Sequence, residues 1–281
     1  MNTTTNQKID MEAQLRSLWG ARSWPFAAAV KEPLQRENYT RTMQRLEQCV
    51  AVHSCGILCG ANGVGKSLLV KALVENLPQK SYRTMVLTHS SLTSSDISRY
   101  LCHIHGIVVA QRRSDNIMAL RKLWRDSQGL WTVVIFEEAQ NLSAAALEEL
   151  RLLICDRLDT QPPFSLLLVG DGDLMPRLNM GINRPLLTRM GFCLELSAWT
   201  SEQCAEYINK RLSDVGIHDN IFDPEAEQLL LRIADGIPRS INHLGQRSFE
   251  EAARDSSRQI HSKHVQMALE QLPWLGRFQE D

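Results

Sequence analysis

Gly60-Ala61-Asn62-Gly63-Val64-Gly65-Lys66-Ser67 fits the pattern G-x-x-x-x-G-K-[ST] at every fixed position. An apolar run, Gly56-Ile-Leu-Cys59, leads into it, and residues 66–76 have the composition of a helix leading out. Strand, loop and helix in that order are the context this pattern requires. Glycines let the backbone curl until its N–H groups converge on phosphate oxygens, and the positive end of the helix dipole points at the same anion. In that arrangement Lys66 neutralises the outer phosphates of ATP and the Ser67 hydroxyl is placed for Mg²⁺. The predicted cradle runs from Gly60 through Ser67 to Leu68. A chance glycine-rich turn is the competing reading, and four fixed positions in the right context weigh against it.

Outward from the loop, short apolar runs alternate with helix-like stretches. The runs are Thr84-Met-Val-Leu87, Trp131-Thr-Val-Val-Ile-Phe136, Phe164-Ser-Leu-Leu-Leu-Val169 and Phe192-Cys-Leu-Glu-Leu196. Helical spacing is read over 40–52, 66–76, 95–105, 116–127 and 144–158. Such alternation predicts an α/β core, a parallel five-stranded sheet covered by helices on both faces. After Leu196 only helices are read. Thr200-Ser-Glu-Gln203 has the form of a capping box, Asp223-Pro224 starts a second helix, Gly236 suits its end, and further helices follow Pro238 and Ser262. The expected division is an N-terminal arm over 1–40, a nucleotide-binding core over 41–198 and an all-helical lid over 199–281.

The third run, Val133-Val-Ile-Phe136, ends in Glu137-Glu138. A buried strand that delivers two acids to the C-terminal edge of the sheet, beside a phosphate loop, is the Walker B arrangement. The first acid, Glu137, organises the Mg²⁺ shell, and the second, Glu138, orients or activates the attacking water. Aspartate is usual at the first place, and glutamate is longer by one methylene. A solvated acidic pair at a strand end is the plain alternative.

Composition narrows the setting. The formal net charge of −1 gives no global support to nucleic-acid binding, though a local basic patch remains open. Seven cysteines, an odd number without repeating spacing, read as reduced thiols of a cytoplasmic protein. Cys55 and Cys59 lack the second ligand pair that zinc needs, and His103 and His105 lack metal partners. No stretch approaches the ~20 apolar residues that span a bilayer, and the polar start lacks the apolar run of a signal peptide.

Glu137-Glu-Ala-Gln-Asn-Leu-Ser143, followed by Leu147-Glu-Glu-Leu-Arg-Leu-Leu153, resembles the D-E-A-Q-N-L-S…L-E-E-L-R-L-L segment of ExeA-type AAA+ ATPases. The resemblance runs on through Leu168-Val-Gly170, Tyr207-Ile-Asn-Lys-Arg-Leu212 and Gly236-Ile-Pro-Arg-Ser-Ile-Asn242, and reaches back to Trp24-Pro25-Phe26. That group includes TniB- and TnsC-type regulators of DNA transposition as well as secretion-assembly ATPases. The resemblance implies a sensor-2 arginine at Arg239, an arginine finger at Arg189 with Arg184 as runner-up, and a polar sensor-1 residue at Asp171. A finger acting in trans implies a homo-oligomer, ring or filament, joined head to tail.

The expected function is an ATP-dependent regulator that oligomerises on double-stranded DNA and recruits or activates a transposase. Arg112, Arg113, Arg121, Lys122 and Arg125 lie where transposition relatives face DNA, and their contacts would be to the phosphate backbone. A solvated helix face is the plain reading of those charges. The alternative function is secretion assembly, whose members add a membrane segment and a cell-wall-binding domain after the ATPase. A third reading, motivated by Glu137, is a non-hydrolysing nucleotide switch.

Overall fold

The computed structural model describes residues 15–26, 37–88, 92–126, 130–155 and 161–276. They form two compact units. One comprises 37–61 and 65–197, and the other comprises 15–26, 62–64 and 198–276.

The first unit is the α/β core. α1 (Glu37–Ala51) precedes β1 (Gly56–Cys59), and α2 (Lys66–Asn76) follows the phosphate-loop motif. Then come β2 (Tyr82–Leu87), α3 (Ser94–Ile104), α4 (Arg113–Asp126), β3 (Trp131–Phe136), a 3₁₀ turn (Ala139–Asn141), α5 (Ala144–Ile154) and β4 (Ser165–Gly170). α6 (Leu174–Asn179), α7 (Arg184–Leu187) and β5 (Phe192–Glu195) close the unit. All five strands are parallel, in the order β2-β3-β4-β1-β5. β4 and all but the first residue of β3 are buried, as expected of central parallel strands, which is why they read as unbroken apolar runs. Predicted and observed ends differ by one to three residues in most elements. The helix read over 144–158 ends at Ile154, and residues 156–160 lie outside the described residues.

The second unit holds α8 (Ser201–Asp214), α9 (Pro224–Ala234), α10 (Pro238–Arg254), α11 (Ser262–Glu270) and α12 (Pro273–Gly276). The capping box at Thr200 forms: the Gln203 amide N–H donates to the Thr200 hydroxyl, and the Gln203 side chain accepts the Thr200 N–H. Asp223 caps α9 through the Ala226 N–H at 2.7 Å. Residues 15–26, read as part of a separate arm, are built into this core. Leu15, Ala21 and Phe26 are buried there, the Trp19 ring meets Phe249 edge-on, and Trp19 Nε1 donates to the Arg258 carbonyl. The physical reason is the aromatic content of the segment, because two tryptophans and a phenylalanine are costly to leave in water.

Candidate nucleotide site

Gly65, at φ 115°, precedes α2, and Gly63 has φ 88°; both lie in the left-handed region that side chains avoid. This curl lets the loop turn at the C-terminal end of β1 and start α2 at Lys66. Lys66 is buried, and its Nζ donates to the Gly60 carbonyl at 2.7 Å and the Ala61 carbonyl at 3.1 Å. Its ammonium is therefore held against the loop, beside the exposed Ser67 hydroxyl one residue on. Among the described residues no group of three or more His, Cys, Asp or Glu is arranged to hold a metal. The oxygen donors available, the Ser67 hydroxyl and the carboxylates of Glu137 and Glu138, are the kind a hard cation such as Mg²⁺ takes when water and phosphate complete its shell.

Register places the acids. Cys59 of β1 pairs with Gly170 of β4, and Phe136 of β3 pairs with Leu168. β4 therefore separates the phosphate loop from the acid pair, and all three emerge at one sheet edge. The Glu137 N–H donates to the Leu87 carbonyl at 2.8 Å, continuing the β2 pairing past the strand end. Glu138 is exposed and left-handed, at φ 52°. Its carboxylate accepts from Gln140 Nε2 at 2.7 Å. Asp171 follows β4, and its Oδ1 accepts the Asp173 N–H at 3.0 Å. Beneath the loop, burial pushes the Cys59 thiol up to about 11, with Cys193 and Glu195 adding to it and Lys66 opposing. Cys55 is raised to about 11 as well, mainly by burial. Both thiols are therefore neutral near pH 7.

The arginines are distributed as follows. Arg189 Nη1 donates to the Pro185 carbonyl at 2.6 Å, so its exposed side chain is folded along α7. Arg184, at the start of α7, is exposed. In the helical unit Arg239 is exposed in the first turn of α10, and its backbone N–H approaches the Gly63 carbonyl at 3.4 Å.

The five basic residues proposed to follow DNA are not equivalent. Arg112, Lys122 and Arg125 are exposed, and Arg121 is half-buried. Arg113 is committed to a partner within the fold. Its guanidinium donates to both carboxylate oxygens of Glu149, Nε to Oε1 at 3.1 Å and Nη2 to Oε2, and the Glu149 side chain is only 1% exposed. A buried carboxylate needs that partner, so Arg113 joins α4 to α5, while its side chain stays 44% exposed. His103 is exposed, and His105 Nδ1 is 3.1 Å from Arg83. Sequence reasoning missed both Gln140 and the Arg113–Glu149 pair. The Glu-x-Gln spacing across a tight turn was a readable signal for the first. Nothing local announced the second.

A phosphate loop, an acid pair across one strand and a five-stranded parallel sheet followed by helices define the class: an AAA+ ATPase. A family model described as "AAA domain" matches residues 51–178. General secretion pathway protein A of Aeromonas hydrophila is 30% identical over 212 residues, which is 73% of this chain and 38% of that protein. The chain belongs to the ExeA-like group of AAA+ ATPases, and it spans under two fifths of the length of the curated relative it matches. Among solved structures, Cdc6p of Pyrobaculum aerophilum has a TM-score of 0.67 at 17% identity, covering 88% of this chain and 70% of that one. The ORC1 protein of Aeropyrum pernix, solved in complex with DNA, has a TM-score of 0.64 at 15% identity, covering 89% and 69%. At such identities the likeness is one of fold. Among the described residues no helix is long and apolar enough to cross a membrane.

Proposed function

We propose that this chain is a Mg²⁺-dependent ATP switch that assembles head to tail on double-stranded DNA and regulates transposition by recruiting or activating a transposase. The observation that carries the DNA part is the α3–α4 hairpin beside edge strand β2. It exposes Val108 (91%) and Met118 (67%) along with Arg112, Lys122 and Arg125, and the nucleotide site uses none of them. Lys122 and Arg125, three apart on α4, share a helix face, and cations gathered on one face are the electrostatic footprint of a nucleic-acid-binding surface. Cations there would follow the phosphate backbone with little sequence preference.

In the nucleotide site the residues from Gly60 to Leu68 would hold the phosphates, with Lys66 against the outer ones. Ser67 and Glu137 would hold Mg²⁺, which when bound neutralises phosphate charge. Glu138 orients the attacking water, Asp171 stands at the sensor-1 place, and Arg239 supplies the sensor-2 guanidinium. Arg189 serves the ATP of the next subunit. The roles of Arg189, Arg239 and Asp171 rest on the family resemblance. A second reading, assembly of a secretion apparatus, is favoured by the identity to General secretion pathway protein A.

The test is a DNA mobility assay with electron microscopy, using a slowly hydrolysed ATP analogue at low and moderate salt. ATP-dependent complexes that weaken steeply with salt are expected. Charge reversal at Lys122 and Arg125 should weaken them and leave ATP affinity intact. No ATP-dependent DNA complex at any salt, together with binding to membrane vesicles or peptidoglycan, would move the chain to the secretion reading.

A further inference from the structure

The carboxylate of Glu138 is held by a side chain outside the Walker motifs. Gln140, in the 3₁₀ turn Ala139–Asn141, donates Nε2 to Glu138 Oε2 at 2.7 Å. The other end of the same amide, Oε1, lies 3.4 Å from the backbone N–H of Asp171, just past β4. Chemistry fixes which end faces which. An ionised carboxylate only accepts and a peptide N–H only donates, so a flipped amide would lose both partners. The close approach is built into β4: a Cβ on Gly170 would lie 2.7 Å from Gln140 Oε1. Glu138 itself stands at φ 52°, a strained setting that is retained where surrounding structure enforces it.

We propose that Gln140 is a positioning residue that aims the Glu138 carboxylate and ties it to the end of β4 at Asp171. The inference rests on the reading of Glu138 as the residue that orients water. Two consequences separate it from a merely structural role. Because the two residues act as a unit, removing Gln140 costs nothing further once Glu138 is neutralised. Gln140 is directed at Glu138 and Asp171, not at the loop holding the phosphates, so its loss lowers kcat and spares KM.

The experiment measures ATP turnover by the full chain, comparing wild type, Gln140→Met, Glu138→Gln and the double variant Glu138→Gln/Gln140→Met. Methionine is close in shape and lacks both hydrogen bonds. Gln140→Met should lose roughly 10- to 100-fold in kcat, as supporting-shell changes do, with KM within about twofold. The double variant should be no slower than Glu138→Gln, since the two residues act as a unit. Binding of a fluorescent ATP analogue reports folding, and Gln140→Ala repeats the measurement should the methionine disturb the turn. Wild-type kcat in Gln140→Met, beside an inactive Glu138→Gln, would overturn the inference. So would a kcat loss that the double variant shows to be additive with that of Glu138→Gln. Wild-type turnover in Glu138→Gln would instead remove the reading of Glu138 itself.

Discussion

Arg113→Ala separates a structural arginine from a DNA-binding one. Glu149 is 1% exposed on α5, and both of its oxygens accept from Arg113. Removing the guanidinium strands a carboxylate in the core. Breaking a fully buried pair costs ~3–5 kcal/mol. The Arg113 side chain is 44% exposed, so water entering the space left behind would solvate part of the charge and reduce the cost to about 2–3 kcal/mol. With a urea m-value of ~2 kcal/mol/M, the unfolding midpoint should fall by roughly 1 M. Tryptophan fluorescence follows the loss, because Trp124 and Trp131 belong to the same unit. Adding Glu149→Gln to Arg113→Ala should recover part of the midpoint, since a neutral amide is cheaper to bury than a charge. Per-subunit DNA affinity of the folded variant should stay at the wild-type level. An unchanged midpoint combined with a large loss of DNA affinity would refute the structural assignment and return Arg113 to the DNA-facing set.

Three further outcomes are expected. Lys66→Ala should abolish binding of a fluorescent ATP analogue while circular dichroism stays native, because the ammonium held against Gly60 and Ala61 is the group nearest the phosphate cradle. Glu138→Gln should bind ATP and hydrolyse it ~10²–10⁴ times more slowly, the usual scale for losing a positioned base; single-turnover kinetics will show it. The helical unit should lose stability as pH falls below about 6.5, the ordinary histidine value. Burial holds His264 below that value, partly offset by its bond to Asp255, and its Nδ1 accepts the His261 N–H at 3.0 Å. The folded unit therefore takes up that proton less readily than the unfolded chain, and stability rises with pH through this window. His264→Gln should flatten that slope in thermal melts.

Legibility in the sequence followed the range of the interactions. The phosphate loop, the acid pair and the caps at Thr200 and Asp223 are encoded within a few residues, and α2 begins and ends where its spacing placed it. The five strands were readable because buried parallel strands leave continuous apolar runs. What escaped was set by partners far along the chain. Arg113 looks like one of five basic residues until Glu149, 36 positions on, is brought beneath it. Trp19 and Phe26 have weak helical periodicity of their own and take their place from Phe249. Gln140 stands within the family-like segment Glu137–Ser143, yet its proposed role depends on Asp171, 31 positions on at the end of another strand.

The arrangement at the sheet edge bears on how hydrolysis is controlled. β4 lies between the strand that carries the phosphate loop and the strand that carries the acids, and Gln140 joins Glu138 to its end. Buried strands form a stiff base, and the groups at their tips are exposed, so chemistry is adjusted at the tips and not in the sheet. On the trans reading Arg189 would add a second level. Its guanidinium is hydrogen-bonded to Pro185 of its own α7. Reaching a neighbour's nucleotide requires releasing a bond worth about 1 kcal/mol, a cost that a charged phosphate partner exceeds easily and that water merely cancels. On the trans reading, then, Arg189 stays folded on an isolated subunit and swings out where a neighbour presents ATP. Turnover per subunit should therefore rise with protein concentration and with added DNA, and Arg189→Ala should remove the rise while leaving the slow rate of the dilute protein unchanged. A dilute Arg189→Ala variant slower than dilute wild type would place the residue in its own subunit's site and end the trans reading.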